Sequence, residues 1–137
     1  MERMTRTFII VAGWGFIITA MFGMFFPEQF TGLADIQLTS TSSLNEIRAN
    51  YGGMHLLMGL YVLYLGLKRG ETQTALWITG LFCSGYVAGR LISMGVDGMP
   101  NDVIFFYIAI EFIGALGAYG ILLARHCRLS TPTAEMH

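Results

Sequence analysis

The chain has 137 residues, of which 54% are hydrophobic and 12% charged, and its mean hydropathy is +0.58. An ordinary soluble domain carries about 25% charged residues, so the composition excludes a soluble globular enzyme and a disordered tail, and makes lipid the expected solvent. Eight basic against nine acidic side chains provide no field for a polyanion, which excludes a nucleic-acid partner.

The first apolar run, residues 7–26, ends at Pro27 and follows Arg3 and Arg6. It is long for a signal-peptide core and no small-x-small cleavage site follows Ala20, so it reads as a retained anchor. Residues 27–43 form the longest connection. Phe30, Leu33, Ile36 and Leu38 give it an apolar side suited to lying over the bundle at the outer interface, and the run of Thr and Ser before residue 44 reads as linker. The second run, 44–67, opens on Ser43-Leu44-Asn45-Glu46, the pattern of a capping box. It closes on Lys68, Arg69 and Gly70, a cationic last turn with a glycine stop. The third run, 75–94, follows a cap at Thr72 or Thr74, and the fourth, 103–124, follows Pro100 and Asn101 with Asp102 as the expected N-cap. The tail after Arg128 is short and polar.

No run alternates with period two, and a membrane barrel needs at least eight strands. Apolar residues surround each run instead of forming one stripe, which argues against a soluble bundle. A membrane-spanning helix takes ~20 apolar residues, so the expectation is one all-α domain over 1–137, an integral-membrane four-helix bundle. Arg3, Arg6, Lys68, Arg69, Arg125 and Arg128 fall on one side of a four-span arrangement, and Glu28, Asp35, Glu46, Asp97 and Asp102 on the other. The positive-inside rule places both termini in the cytoplasm.

Polar residues inside the runs carry the functional information, because a central charge costs ~2.5–3.5 kcal/mol on insertion scales and therefore pairs or faces the interior. Arg48, Gly52, His55, Gly59, Val62 and Gly66 step by 4, 3, 4, 3, 4 and share one helix face. The glycines would allow close packing there, with Arg48 and His55 pointing into the seam. Thr79, Cys83, Tyr86, Arg90, Ser93 and Asp97 repeat the spacing, Tyr107, Glu111, Gly114 and Ala118 share a face, and the first run offers Gly15 and Thr19. At ~1.5 Å per residue, Arg48 and Tyr51 lie near the outer surface, Arg90 and Tyr107 about 6 Å down, and His55, Tyr86 and Glu111 roughly 10–13 Å down. All occupy the outer half, which fits an outward pocket or a closed polar knot with an Arg90–Glu111 ion pair. Gly114, Gly117 and Gly120 read as helix-packing positions.

No metal or cofactor is assigned. His55, His126 and His137 are the only histidines, too few for a histidine-rich di-iron site, and no HExxH, GxSxG or Walker sequence occurs. Cys83 and Cys127 form neither a disulfide framework nor a CxxC pair. Met21, Met24, Met54, Met58, Met94 and Met99 gather toward the outer side. Thioethers can bind Cu(I), but methionine is the commoner flexible filler.

The stretch Asn45-Glu46-Ile47-Arg48-Ala49-Asn50-Tyr51-Gly52-Gly53, then Gly89-Arg90-Leu91-Ile92-Ser93 with Asp97-Gly98-Met99-Pro100, and finally Glu111, resembles the signature of a small bacterial membrane family catalogued only as a domain of unknown function. The resemblance covers nearly the whole chain. It implies four spans with the signature gathered on one side of the membrane, and it supplies no activity. Glu46, Arg48, Tyr51, Gly52, Gly53, Arg90, Asp97, Gly98, Pro100 and Glu111 match it, while His55 lies outside.

Two functional readings follow. In the first, Arg48, Tyr51, His55, Tyr86, Arg90, Tyr107 and Glu111 line a pocket for a membrane lipid or another lipid-like or anionic amphiphile, with Glu46, Gly52, Gly53, Asp97, Gly98 and Pro100 as a structural signature. In the second, the protein is a structural or accessory subunit that docks a membrane partner or a second copy, and the polar cluster only sets helix packing. A cofactor-free enzyme, such as an isomerase or hydratase of an amphiphile, is a third and more distant reading.

Overall fold

The computed structural model describes residues 2–68 and 70–129. Arg69, one of the six same-side basic residues, and the tail from 130, including His137, lie outside the described residues. The elements are α1 (Glu2–Phe25), α2 (Pro27–Gly32), α3 (Thr41–Ile47), a π-helical segment (Arg48–Met54), α4 (His55–Leu67), α5 (Thr72–Asp97) and α6 (Asp102–Leu129). No strand occurs among the described residues. Three helices, α1, α5 and α6, are long and apolar enough to cross a membrane. The expected second span is helical without a break from 41 to 67, but the π segment divides it, and α4 alone has 13 residues.

The helix ends differ from the sequence expectation in ways that hydrogen bonding explains. The second stretch begins at Thr41, because Ser40 is the N-cap: its hydroxyl accepts from the Ser43 amide, while Ser43 Oγ accepts from the Ser40 amide, both at 3.1 Å. This Ser–Ser box replaces the expected Ser43–Glu46 box, so the serine run is a helix start and not linker. No side-chain cap bond forms at the start of α5, where Glu71 is the N-cap; the Thr72 hydroxyl instead accepts from Arg125 at 2.9 Å. At α6 the cap is Asn101, whose Oδ1 accepts from the Ile104 amide, and not Asp102. The expected cationic last turn and glycine stop do not end α4: the chain leaves the helix at Lys68, which is already extended at φ −73° and ψ 132°, and Gly70 turns the chain beyond it with a left-handed φ of +89°. The connection 27–43 is partly ordered into α2, with Phe30 packed on Phe22 and Tyr51. Asn101 Nδ2 then ties this segment to α6, donating to the Leu33 carbonyl at 3.1 Å and to Asp35 Oδ2 at 2.6 Å.

Packing is antiparallel and closest between α1 and the 41–67 stretch. A Cβ at Gly59 would lie 2.8 Å from the Gly13 carbonyl oxygen and 3.0 Å from the Ile17 amide nitrogen. Further along, one at Gly23 would strike Tyr51 and one at Gly52 would strike Met24, so the two backbones approach along their whole shared length. The expected glycine, Gly15, is exposed and meets nothing; Gly13 and Gly23 do its work. On the other side of the molecule α5 packs on α6, with Cys83 against Gly114 and Tyr119 against Gly80. Gly117 receives Phe8 of α1, whereas Gly120 faces open space and is not a packing position.

The buried core consists of Ile9, Val62, Leu65, Ala75, Leu76 and Ala118. It sits toward the end where Arg125 bridges Thr72 and Glu2, which also pairs with Arg6. The buried positions of α5 stop at Cys83, leaving its second half half-buried or exposed. Large apolar side chains cover the outside, with Leu57 70%, Ile113 67% and Val96 78% exposed. A water-soluble monomer does not tolerate so continuous an apolar exterior.

The close approach yields a test. Gly59→Ala must push backbone atoms of α1 and is expected to lower stability by about 1–3 kcal/mol. Gly15→Ala enters open space, and better helix propensity should leave it neutral or more stable by up to about 1 kcal/mol. Thermal melting of the two variants in detergent checks the order.

Candidate functional site

The signature residues 48–54 form the π segment, whose wider turns expose backbone carbonyls that an α-helix would use internally. At its end the His55 amide donates to the Gly52 carbonyl, and the His55 imidazole takes the carbonyl of Asn50, Nδ1 to O at 2.8 Å. A carbonyl only accepts, so Nδ1 carries the proton. In the neutral ring Nε2 then accepts from the Tyr86 hydroxyl, at 3.2 Å. His55 is buried, stacked on Tyr51 with centroids 5.4 Å apart and edge-on to Phe82 at 5.3 Å. Both ring nitrogens are therefore committed, and Tyr51 covers one ring face.

On α5 and α6, Arg90 and Glu111 form a bidentate pair: Nε donates to Oε2 and Nη2 to Oε1, each at 2.8 Å. The side chains are 21% and 17% exposed. The guanidinium carbon lies 5.7 Å from the Tyr86 ring centroid and 5.6 Å from that of Tyr107, so two aromatic faces flank the cation. Nη1 makes no hydrogen bond among the described residues. This is the ion pair that the facing polar stripes predict.

An open groove of about 510 Å³ lies between Tyr51 of the π segment and residues 81–90 of α5. Leu81, Phe82, Gly85 and Gly89 give it an apolar floor, and Tyr51, Tyr86 and Arg90 a polar end. Gly85 and Gly89 have nothing within 4 Å of a Cβ position, so the absence of two side chains keeps the groove open.

Of the seven expected ligand residues, the structure brings Tyr51, Tyr86 and Arg90 to the groove wall. His55 and Glu111 hold Tyr86 and Arg90 by hydrogen bonds, and Tyr107 stacks on Arg90. Arg48 departs from the expectation. Its side chain is exposed, not in the seam, and its Nε donates to the Met24 carbonyl in the last turn of α1 at 3.2 Å, where it caps that helix. The 4-3-4 spacing assumes 100° per residue, and the π segment breaks that register between Arg48 and His55; Gly52, His55, Gly59, Val62 and Gly66 remain buried.

The residues of the structural signature also separate. Gly52 is needed for the contact with Met24, while Gly53 has only the Arg48 carbonyl at 3.9 Å. Glu46 accepts from the Asn50 side chain. Asp97 accepts from Ser93 at 2.8 Å, Gly98 turns the chain with φ +100°, and half-buried Pro100 precedes the cap of α6. Among the methionines, Met24 and Met58 pack inward, whereas Met21, Met54 and Met99 are exposed. The sequence reading missed Phe82, Gly85 and Gly89 as groove residues and Asn50 as the acceptor for His55. A signal for the floor was present: Gly85 and Gly89 lie four apart, each next to a polar site residue.

Removing one member of the ion pair leaves the other charged and unpaired. Arg90→Met and Glu111→Gln are each expected to cost about 3–5 kcal/mol, with the double variant well short of the sum. Arg48→Met, which loses only an exposed helix-end contact, should cost less than about 1 kcal/mol. Detergent melting of all four variants measures both contrasts.

Neither a curated protein nor a solved structure matches the chain. A family model does match, over residues 4–122, which takes in all but the first two residues of α1, the π segment and the Arg90–Glu111 pair. The chain therefore belongs to the family described as Domain of unknown function (DUF4345).

Proposed function

We propose that this is a multi-pass protein of a bacterial inner membrane, a four-helix bundle with both termini cytoplasmic, that binds a lipid-like amphiphile in the groove between the π segment and α5. The carrying observation is the groove itself, where an apolar floor of Leu81, Phe82, Gly85 and Gly89 adjoins a polar end at Tyr51, Tyr86 and Arg90. A hydrocarbon chain suits the floor, and a polar head suits the end. The topology draws support from the unbroken helical stretch 41–67 and from Glu2, Thr72 and Arg125 meeting at one end, beside Arg6 and Lys68. A second reading, an accessory subunit that docks another membrane helix or a second copy, is favoured by the same open Gly85 and Gly89, since small residues four apart admit a close helix.

Reporters active only in the cytoplasm, fused after Gly70 and after Arg128, are expected to work at both sites and to be silent within 27–43. Native mass spectrometry of the purified protein should show a retained lipid-like mass. Gly85→Leu/Gly89→Leu, which fills the groove without touching the ion pair, should lose that mass while melting no lower than the wild type. Equal nonspecific lipid on both proteins would overturn the binding reading; loss of a co-purifying subunit or of a dimer would favour the second.

A further inference from the structure

Building on the groove reading above, we infer that the amphiphile carries an uncharged head group with a carbonyl or hydroxyl oxygen, and not a phosphate or carboxylate. The argument rests on where charge and hydrogen-bond capacity remain once the protein has satisfied itself. Arg90 is the one charged residue on the groove wall. Two of its three guanidinium nitrogens are spent on Glu111 at 2.8 Å, so the wall presents a neutral pair and not a free cation. Arg48, the other arginine expected to line the pocket, does not line the groove and donates to the Met24 carbonyl.

An anionic head placed at Arg90 would put two anions, its own charge and the Glu111 carboxylate, around one guanidinium. It would have to displace Glu111, or leave one negative charge uncompensated beside apolar walls, and both are costly. An uncharged oxygen meets no such penalty. Nη1 still offers two N–H donors in the guanidinium plane, aligned for one or two lone pairs. The Tyr51 hydroxyl has no hydrogen bond among the described residues and stands on the same wall. The Tyr86 hydroxyl donates its one hydrogen bond to His55 Nε2, so its lone pairs remain to accept from a hydroxyl head. The polar end thus holds donors at Arg90 and Tyr51, an acceptor at Tyr86, and no net charge.

The test uses the full chain in phosphatidylcholine nanodiscs and three diazirine-bearing probes of equal chain length: hexadecanol, hexadecanoate and hexadecyl phosphate. Labelled peptides are mapped and quantified against the exposed outer face of α6 around Leu116 and Leu123 as background. The wild type is expected to be labelled at residues 81–90 and at Tyr51 by the alcohol, at least about fivefold over either anion. Glu111→Gln releases the Arg90 charge and should swing the preference toward the anions by about tenfold, the factor one charge-assisted hydrogen bond contributes. If that variant does not fold, Arg90→Gln/Glu111→Gln keeps the wall neutral and should retain the alcohol preference. Anions that label the wild-type groove as well as the alcohol, or a double variant that gains anion labelling, would overturn the inference while leaving an amphiphile groove in place. Labelling of the groove by no probe above the α6 background would overturn the groove reading itself.

Discussion

The bidentate ion pair between Arg90 and Glu111 holds α5 to α6 where the apolar core has run out. Buried positions on α5 end at Cys83, and on α6 the buried alanines are Ala115 and Ala118. Beyond them the contact is carried by two charge-assisted bonds at 2.8 Å, with Tyr86 and Tyr107 on the faces of the guanidinium. Among apolar surroundings neither charge is tolerable alone, so the pair constrains the helices to one register. It also sets the electrostatics of the groove, because a guanidinium bound to a carboxylate remains a donor but is no longer a net cation.

The π segment is the second device, and it depends on the close approach of α1. Gly23 and Gly52 let Tyr51 and Met24 interlock, which fixes the wide turn between Arg48 and Met54. The wide turn frees the Asn50 carbonyl for His55 Nδ1, and the proton held there leaves Nε2 to receive Tyr86. Tyr51, Tyr86 and Arg90 are thus each held from behind, by His55 stacking, His55 Nε2 and Glu111 respectively. A wall whose side chains are fixed before binding loses little entropy on binding.

Much of this was legible in the residues. Glycine spacing predicted the buried seam through Gly52, Gly59 and Gly66, and the polar stripes of the third and fourth runs predicted the Arg90–Glu111 contact. Both signals are local and periodic, and they hold wherever the helix keeps 3.6 residues per turn. They failed at Arg48, where the turn widens, and at Gly15, which shares a composition but not a face with Gly13 and Gly23. The start at Thr41 departs from the expected one because Ser40, Ser42 and Ser43 all suit a cap, and which one caps depends on where the extended backbone gives way to the helix.

By itself the sequence determined the helical class, the apolar exterior and the choice of polar residues, since composition and i, i+3, i+4 spacing act within one segment and need no partner. Tertiary structure alone decided what those polar residues do. It turned Arg48 into a helix cap, spent Arg90 on Glu111, locked the His55 tautomer and left Gly85 and Gly89 uncovered beside Tyr51. Each of these joins atoms 21 to 38 positions apart, or a carbonyl released by a shift in backbone register, and no periodicity along one segment encodes either.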